Sequence, residues 1–141
     1  MKAYMETSVI LRRLLREAAA LAAVDNVTWG VTSRITRLEC LRTLDRLHLR
    51  GSIGAEEFAD LRNKVLRLME KLEIVPMSDP VISLAESSFS VALGSLDSIH
   101  LSSALEWQRA RGEPLILLTH DRELGLAARA QGFEVVGTTT A

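Results

Sequence analysis

Apolar residues along this chain arrive in two rhythms. Short unbroken runs (AYM at 3–5, IVPM at 74–77 and LILLT at 115–119) alternate with longer stretches where apolar positions recur every three or four residues. The unbroken runs read as strands, and LILLT as one buried on both faces of a parallel sheet. VTWGVTS at 27–33 is β-rich, and EVV at 134–136 reads as a last strand. Between them the spacing predicts helices. The first runs from a Ser8 cap to about residue 23, and the second from about Ile35 to Leu49, ended by Gly51. A third, from Ala55 to Leu72, carries Phe58, Leu61, Val65, Leu68 and Leu72 on one stripe. Pro80 suits the first turn of a fourth, Gly112 closes a fifth over 95–112, and Gly132 stops a sixth at Gln131. Strands alternating with helices predict a three-layer α/β domain, to which residues 35–72 add a helical hairpin.

Composition narrows this picture. A chain of 141 residues, 48% hydrophobic and 25% charged, suits one domain over 1–141. No apolar run reaches the roughly 18 residues a membrane span needs. Glu6, Arg12 and Arg13 break the N-terminal apolar stretch, so it lacks a signal-peptide core. The single cysteine, Cys40, has no internal disulfide partner, which predicts a reducing cytoplasm. Cys40 shares a helix face with Leu44 and Leu47 and reads as core.

Net charge is −1 but uneven: residues 1–50 hold nine Lys or Arg against five Asp or Glu, and residues 51–141 eight against thirteen. Two solvated faces of opposite sign explain this, and so does a basic rim beside an acidic, metal-holding site that takes a polyanion. With 4% aromatic residues there is no stacking platform for single strands, so a polyanion would be recognised by shape, charge and polar contacts.

Four carboxylates stand out, each with a plainer explanation beside it. In open parallel sheets ligands gather beyond the carboxyl ends of the strands. Glu6 follows the first strand and Asp121 follows LILLT. Asp121 equally suits the N-cap of RELGLAARAQ. Asp97 shares a helix face with Leu101, Ala104 and Leu105, so it points toward the sheet, where a carboxylate needs a cation, a metal or the helix dipole. Glu39 fits a T-x-x-E capping box with Thr36, or a pair with Arg42. Together they weigh more: carboxylates about 4 Å apart repel by about 4 kcal/mol at an effective dielectric of about 20. A cluster of them calls for a hard cation such as Mg²⁺ or Mn²⁺, which also activates water and neutralises a phosphate oxygen.

The blocks AYMETSVILRRLL, TRLECLRTL, LGSLDSIHLSSAL and LLTHDRELGLAARAQGF, spread along nearly the whole chain, resemble in order and spacing those of PIN-domain ribonucleases. The nearest likeness is to the VapC-type toxins of prokaryotic toxin–antitoxin pairs. The resemblance implies an α/β/α fold with a five-stranded parallel sheet and Glu6, Glu39, Asp97 and Asp121 clustered at its carboxyl edge. It implies Glu6 and Asp97 as principal metal ligands, Glu39 and Asp121 completing the set, and Thr119 as a hydrogen-bonding helper. The implied reaction is Mg²⁺- or Mn²⁺-dependent hydrolysis of RNA by activated water. The implied partners are RNA, an inhibitory antitoxin and a second copy of the chain.

One departure matters. The family usually has aspartate where this chain has Glu6; the added methylene moves the metal outward or folds the side chain back, weakening activity or favouring manganese. A non-catalytic interaction module that keeps the partner groove is the alternative this raises. A phospho-accepting receiver domain is a third reading: Asp79 suits its acceptor, but no lysine follows Lys71 to complete the pocket. His100, one turn past Asp97, either orients that acid or packs at the helix–sheet boundary. His120 reads as exposed. Arg12, Arg13 and Arg16 suit phosphate or antitoxin contacts as well as a solvated helix face.

Overall fold

The computed structural model describes residues 1–138. Five parallel strands, β1 (Lys2–Met5), β2 (Trp29–Ser33), β3 (Glu73–Val75), β4 (Ile116–Leu118) and β5 (Glu134–Val136), form one sheet in the order β3-β2-β1-β4-β5. Tyr4 pairs with Val31 on one side and Leu117 on the other, so β1 is central and its Ala3, Tyr4 and Met5 are buried. Helices α1 (Thr7–Leu14), α2 (Arg34–Leu49) and α3 (Ala55–Lys71) contribute to one core with Ala3, Met5, Val9, Leu44 and Val65. Helices α4 (Asp79–Ala85), α5 (Ser95–Arg111) and α6 (Arg122–Ala130) close over Tyr4, Val31, Leu101, Leu117 and Leu124 on the other face. Alternate residues of β1 thus feed opposite cores, as strand geometry requires. The expected three layers and the α2–α3 hairpin are both present.

Several ends differ from the sequence reading. The first helix stops at Leu14 rather than near residue 23, because Arg16 turns left-handed at φ 54°. Its N–H donates to Arg13 O at 3.2 Å and that of Glu17 to Arg12 O at 3.0 Å, a Schellman closure with arginine where glycine is usual. The alanine-rich segment beyond stays outside the helix; its Leu21 and Val24 pack on the core, and a short 3-10 helix covers Ala22–Asn26. The third strand ends at Val75, since Pro76 has no N–H for the ladder. Ser8 lies inside α1 rather than capping it.

At the amino end of the sheet, the Trp29 and Trp107 indoles donate to Glu73 Oε2 at 3.1 and 2.6 Å, and Arg111 pairs with the same carboxylate. At the opposite end, Gly137 holds φ 114°, and a Cβ there would lie 2.3 Å from Thr119 O. Only glycine lets the chain after β5 press so closely on the residue that follows β4.

Candidate active site

The carboxyl edge is where the acids meet. Glu6 follows β1 directly and caps α1, its Oε2 accepting from Ser8 N at 2.6 Å. Glutamate is not a preferred cap, and its longer side chain folds back onto the first turn to act as one. Its Oε1 accepts two further bonds at 2.7 Å, from Ser8 Oγ and from Thr119 Oγ1. Three donors thus hold this buried carboxylate, leaving about one of its four acceptor positions open.

Asp121 sits beyond β4 and caps α6, Oδ1 accepting from Leu124 N at 2.9 Å. Thr119 Oγ1 accepts from Asp121 N at 3.0 Å while donating to Glu6, so one hydroxyl fixes two of the acids. The helper role expected for Thr119 has a structural basis in these two bonds.

Asp97 enters from the first turn of α5, half-buried, and its carboxylate makes no hydrogen bond or ion pair among the described residues. Burial pushes its pKa from 3.8 up to about 6, helped by the charges of Asp121, Glu6 and Glu39 and opposed by His100. The same four acids expected from sequence therefore share one electrostatic neighbourhood.

Glu39 corrects its local reading. Ser33 caps α2, accepting from Ile35 N at 3.1 Å, and Thr36 bonds Thr32 at 2.7 Å, so no Thr36–Glu39 capping box forms. Arg42 pairs with Asp45 instead of Glu39. Glu39 Oε1 accepts from Thr7 Oγ1 at 2.7 Å and meets His100 Nε2 at 2.6 Å. Burial alone would raise its pKa, but the His100 and Thr7 contacts outweigh it and lower the value. His100, 1% exposed, packs at the helix–sheet boundary, where it holds Glu39 rather than Asp97.

Thr7, Ser8 and Tyr4 were missed in the sequence. The only signal was position: all three lie within two residues of Glu6. His120 is partly covered and not exposed as expected, with its Nε2 buried and its N–H donating to Ser8 Oγ at 3.1 Å. Arg12 and Arg13 reach Glu17 and Asp25 at 3.8 and 3.0 Å.

Glu6 and Glu39 line a cleft of about 400 Å³ whose rim carries Leu38, Arg42, Arg46 and Leu96. A larger cavity of about 500 Å³ lies between Arg34, Arg37 and α3, but of the four acids it holds none. An all-oxygen set with excess negative charge matches what a hard divalent cation takes. Among the described residues no three acids are already grouped around one point at metal-binding geometry.

Such a fold, with acids converging beyond β1 and β4, defines a class. The PIN domain profile matches residues 3–130, and the chain belongs to the PIN-domain family. It is 31% identical, over 140 residues and 92% of each chain, to Ribonuclease VapC47 of Mycobacterium tuberculosis (strain CDC 1551 / Oshkosh). A toxin–antitoxin complex from Klebsiella pneumoniae is similar in structure, with a TM-score of 0.65 at 14% identity, covering 98% of this chain and 96% of that one. FitAB bound to an IR36 DNA fragment gives 0.71 at 17% identity, covering 95% and 93%. FitAcB from Neisseria gonorrhoeae gives 0.68 at 17%, covering 94% and 95%. No helix among the described residues is long and apolar enough to cross a membrane.

Proposed function

We propose that this chain is a divalent-metal-dependent endoribonuclease and the toxin of a type II toxin–antitoxin pair, working in the cytoplasm as a homodimer of single PIN domains. The observation that carries the reading is Asp97: a half-buried carboxylate with no hydrogen-bond or ion-pair partner among the described residues, raised to about 6 by burial and three neighbouring acids. Such a group suits a cation. Asp97, Asp121 and the free oxygen of Glu39 would hold Mg²⁺ or Mn²⁺, with Glu6 contributing through its remaining acceptor position. When bound, the ion supplies an activated water and positive charge for a phosphate oxygen. Thr119 keeps Glu6 and Asp121 in register, and Arg42 and Arg46 on the cleft rim meet the phosphates flanking the scissile bond. Leu38 and Leu96, both exposed on that rim, offer an apolar seat to an antitoxin. Purified protein is expected to cut RNA with Mg²⁺ or Mn²⁺, to stop in EDTA, and to lose cutting in Asp97→Asn. Cleavage that survives EDTA would refute the reading.

A second reading rests on Glu6. With three donors already holding it, its carboxylate is committed to capping α1 and to Thr119. A chain so constrained is a weakened nuclease whose main business is binding its antitoxin. Glu6→Asp shortens the side chain by one methylene. Cleavage near background in the parent and restored in the variant would favour this second reading; equal rates would remove it.

A further inference from the structure

Behind Glu39 lies a chain of hydrogen bonds that the proposed reaction does not use. Tyr4 of β1 is fully buried, and its hydroxyl meets His100 Nδ1 at 2.7 Å. The two rings stand edge to face at 5.9 Å. The other ring nitrogen, Nε2, meets Glu39 Oε1 at 2.6 Å and Thr7 Oγ1 at 3.2 Å. An ionised carboxylate only accepts, so Nε2 carries a proton and donates it to Glu39. Nδ1 is then the nitrogen left to the Tyr4 hydroxyl, whichever of those two groups is the donor. Sequence separations of 96 and 61 residues bring these groups from β1, α5 and α2 to one point.

A buried imidazole needs partners, and packing explains why both nitrogens have one. Packing alone gives no reason for the pattern at Glu39. Both its donors, Thr7 Oγ1 and His100 Nε2, converge on Oε1. Oε2 has no protein donor among the described residues, on a side chain that lines the cleft. The carboxylate is thus pinned by one oxygen, and among the described residues no donor claims the other. We infer that His100, fixed in turn by Tyr4, is a positioning residue that orients Glu39 so that Oε2 faces the cation site. This rests on the metal-site reading above. Groups that orient ligands from behind typically contribute about 10–100-fold to metal affinity or activity.

The experiment is calorimetric titration of Mn²⁺ at fixed pH, with kcat, KM and the Tm of the metal-free protein measured alongside. His100→Leu is expected to weaken Mn²⁺ binding and lower kcat by about 10–100-fold, with KM for RNA little changed. His100→Gln restores an N–H near Nε2 and is expected to recover most of that loss. Tyr4→Phe removes one buried oxygen and should cost a smaller factor in both readouts. On a Glu39→Gln background, His100→Leu should cost nothing further, since partners acting through one contact are not additive. A folded His100→Leu protein with parental Mn²⁺ affinity and kcat overturns the inference, as does an equal loss on the Glu39→Gln background. If His100→Leu does not fold, Tyr4→Phe decides, and its parental affinity and kcat would overturn it. A parent that binds no Mn²⁺, with Asp97→Asn behaving identically, overturns the metal-site reading and this inference with it.

Discussion

Asp97→Asn tests the acid cluster without RNA and without metal. Burial, followed by the charges of Asp121, Glu6 and Glu39, carries the Asp97 pKa from 3.8 to about 6. The folded chain therefore keeps this proton over an interval in which the unfolded chain has lost it. Stability from this group is full below the unfolded value, falls as pH rises through the folded one, and stays reduced above it. That interval corresponds to about 3 kcal/mol at about 1.36 kcal/mol per tenfold change in proton affinity. The carboxyl is only half-buried, so solvent screening reduces the figure to about 1–1.5 kcal/mol. Asparagine keeps the shape and removes the charge. In EDTA at about pH 7.5 the variant is expected to be more stable than the parent by that amount, about 3–6 °C in Tm for a chain of this size. The two proteins should converge as pH falls to about 4. Saturating Mn²⁺ should then reverse the order, because only the folded parent gains from binding it. Calorimetric melts of both proteins across this pH range give the answer. A parent–variant difference that is flat with pH, or a variant less stable than the parent at neutral pH in EDTA, would refute the idea that like charges crowd this residue.

Three further outcomes follow from local geometry. Arg16→Gly removes the side chain from a left-handed position at φ 54° and should stabilise by about 1 kcal/mol in denaturant melts. Gly137→Ala sets a Cβ 2.3 Å from Thr119 O at φ 114° and should destabilise by about 2 kcal/mol or more; because Thr119 holds Glu6 and Asp121, Mn²⁺ affinity should fall too. Burial, then the charges of Glu39 and Glu6, raises the Cys40 thiol to about 12, so it should resist alkylation at neutral pH and react at the rate of unfolding.

The strands and most helices were legible because their signals are local. AYM and LILLT needed only their apolar continuity, and α3 only its stripe. Ends were legible where a residue forbids continuation, as Gly112 does, and missed where the cause lies in backbone geometry. Nothing in the composition of residues 15–21 announces that Arg16 adopts a glycine conformation. Glu6 and Asp121 could be placed because an acid at the end of a buried strand has few directions open to it. Asp97 could be placed because its helix face was apolar. Glu39 joined the cluster only through the resemblance: its local pattern read as a capping box, while its actual partners, Thr7 and His100, lie 32 and 61 residues away. Pairing at that range has no signature in a single chain.

Asp121 suits a cap or a site acid in the sequence, and in the folded chain it caps α6 while standing close enough to Asp97 for its charge to be felt there. The same holds for Glu6, whose Oε2 satisfies Ser8 N at the start of α1 while its carboxylate stands beside the other acids. Parallel strands deliver the N-termini of their following helices to one edge, and an exposed N–H there attracts a carboxylate whether or not a reaction needs it. Two of the four acids are therefore held by helix ends, which orient them and occupy part of their acceptor capacity. Asp97 and Glu39 cap nothing. Among the described residues Asp97 has both oxygens uncommitted, and Asp121 and Glu39 each keep one oxygen clear of any donor, so the readiest ligand atoms lie on Asp97 and the least ready on Glu6. Capping supplies the rigid part of the cluster, and on the proposed metal reading Glu6, held by three donors, has the least to contribute, so glutamate at position 6 is compatible with that reading.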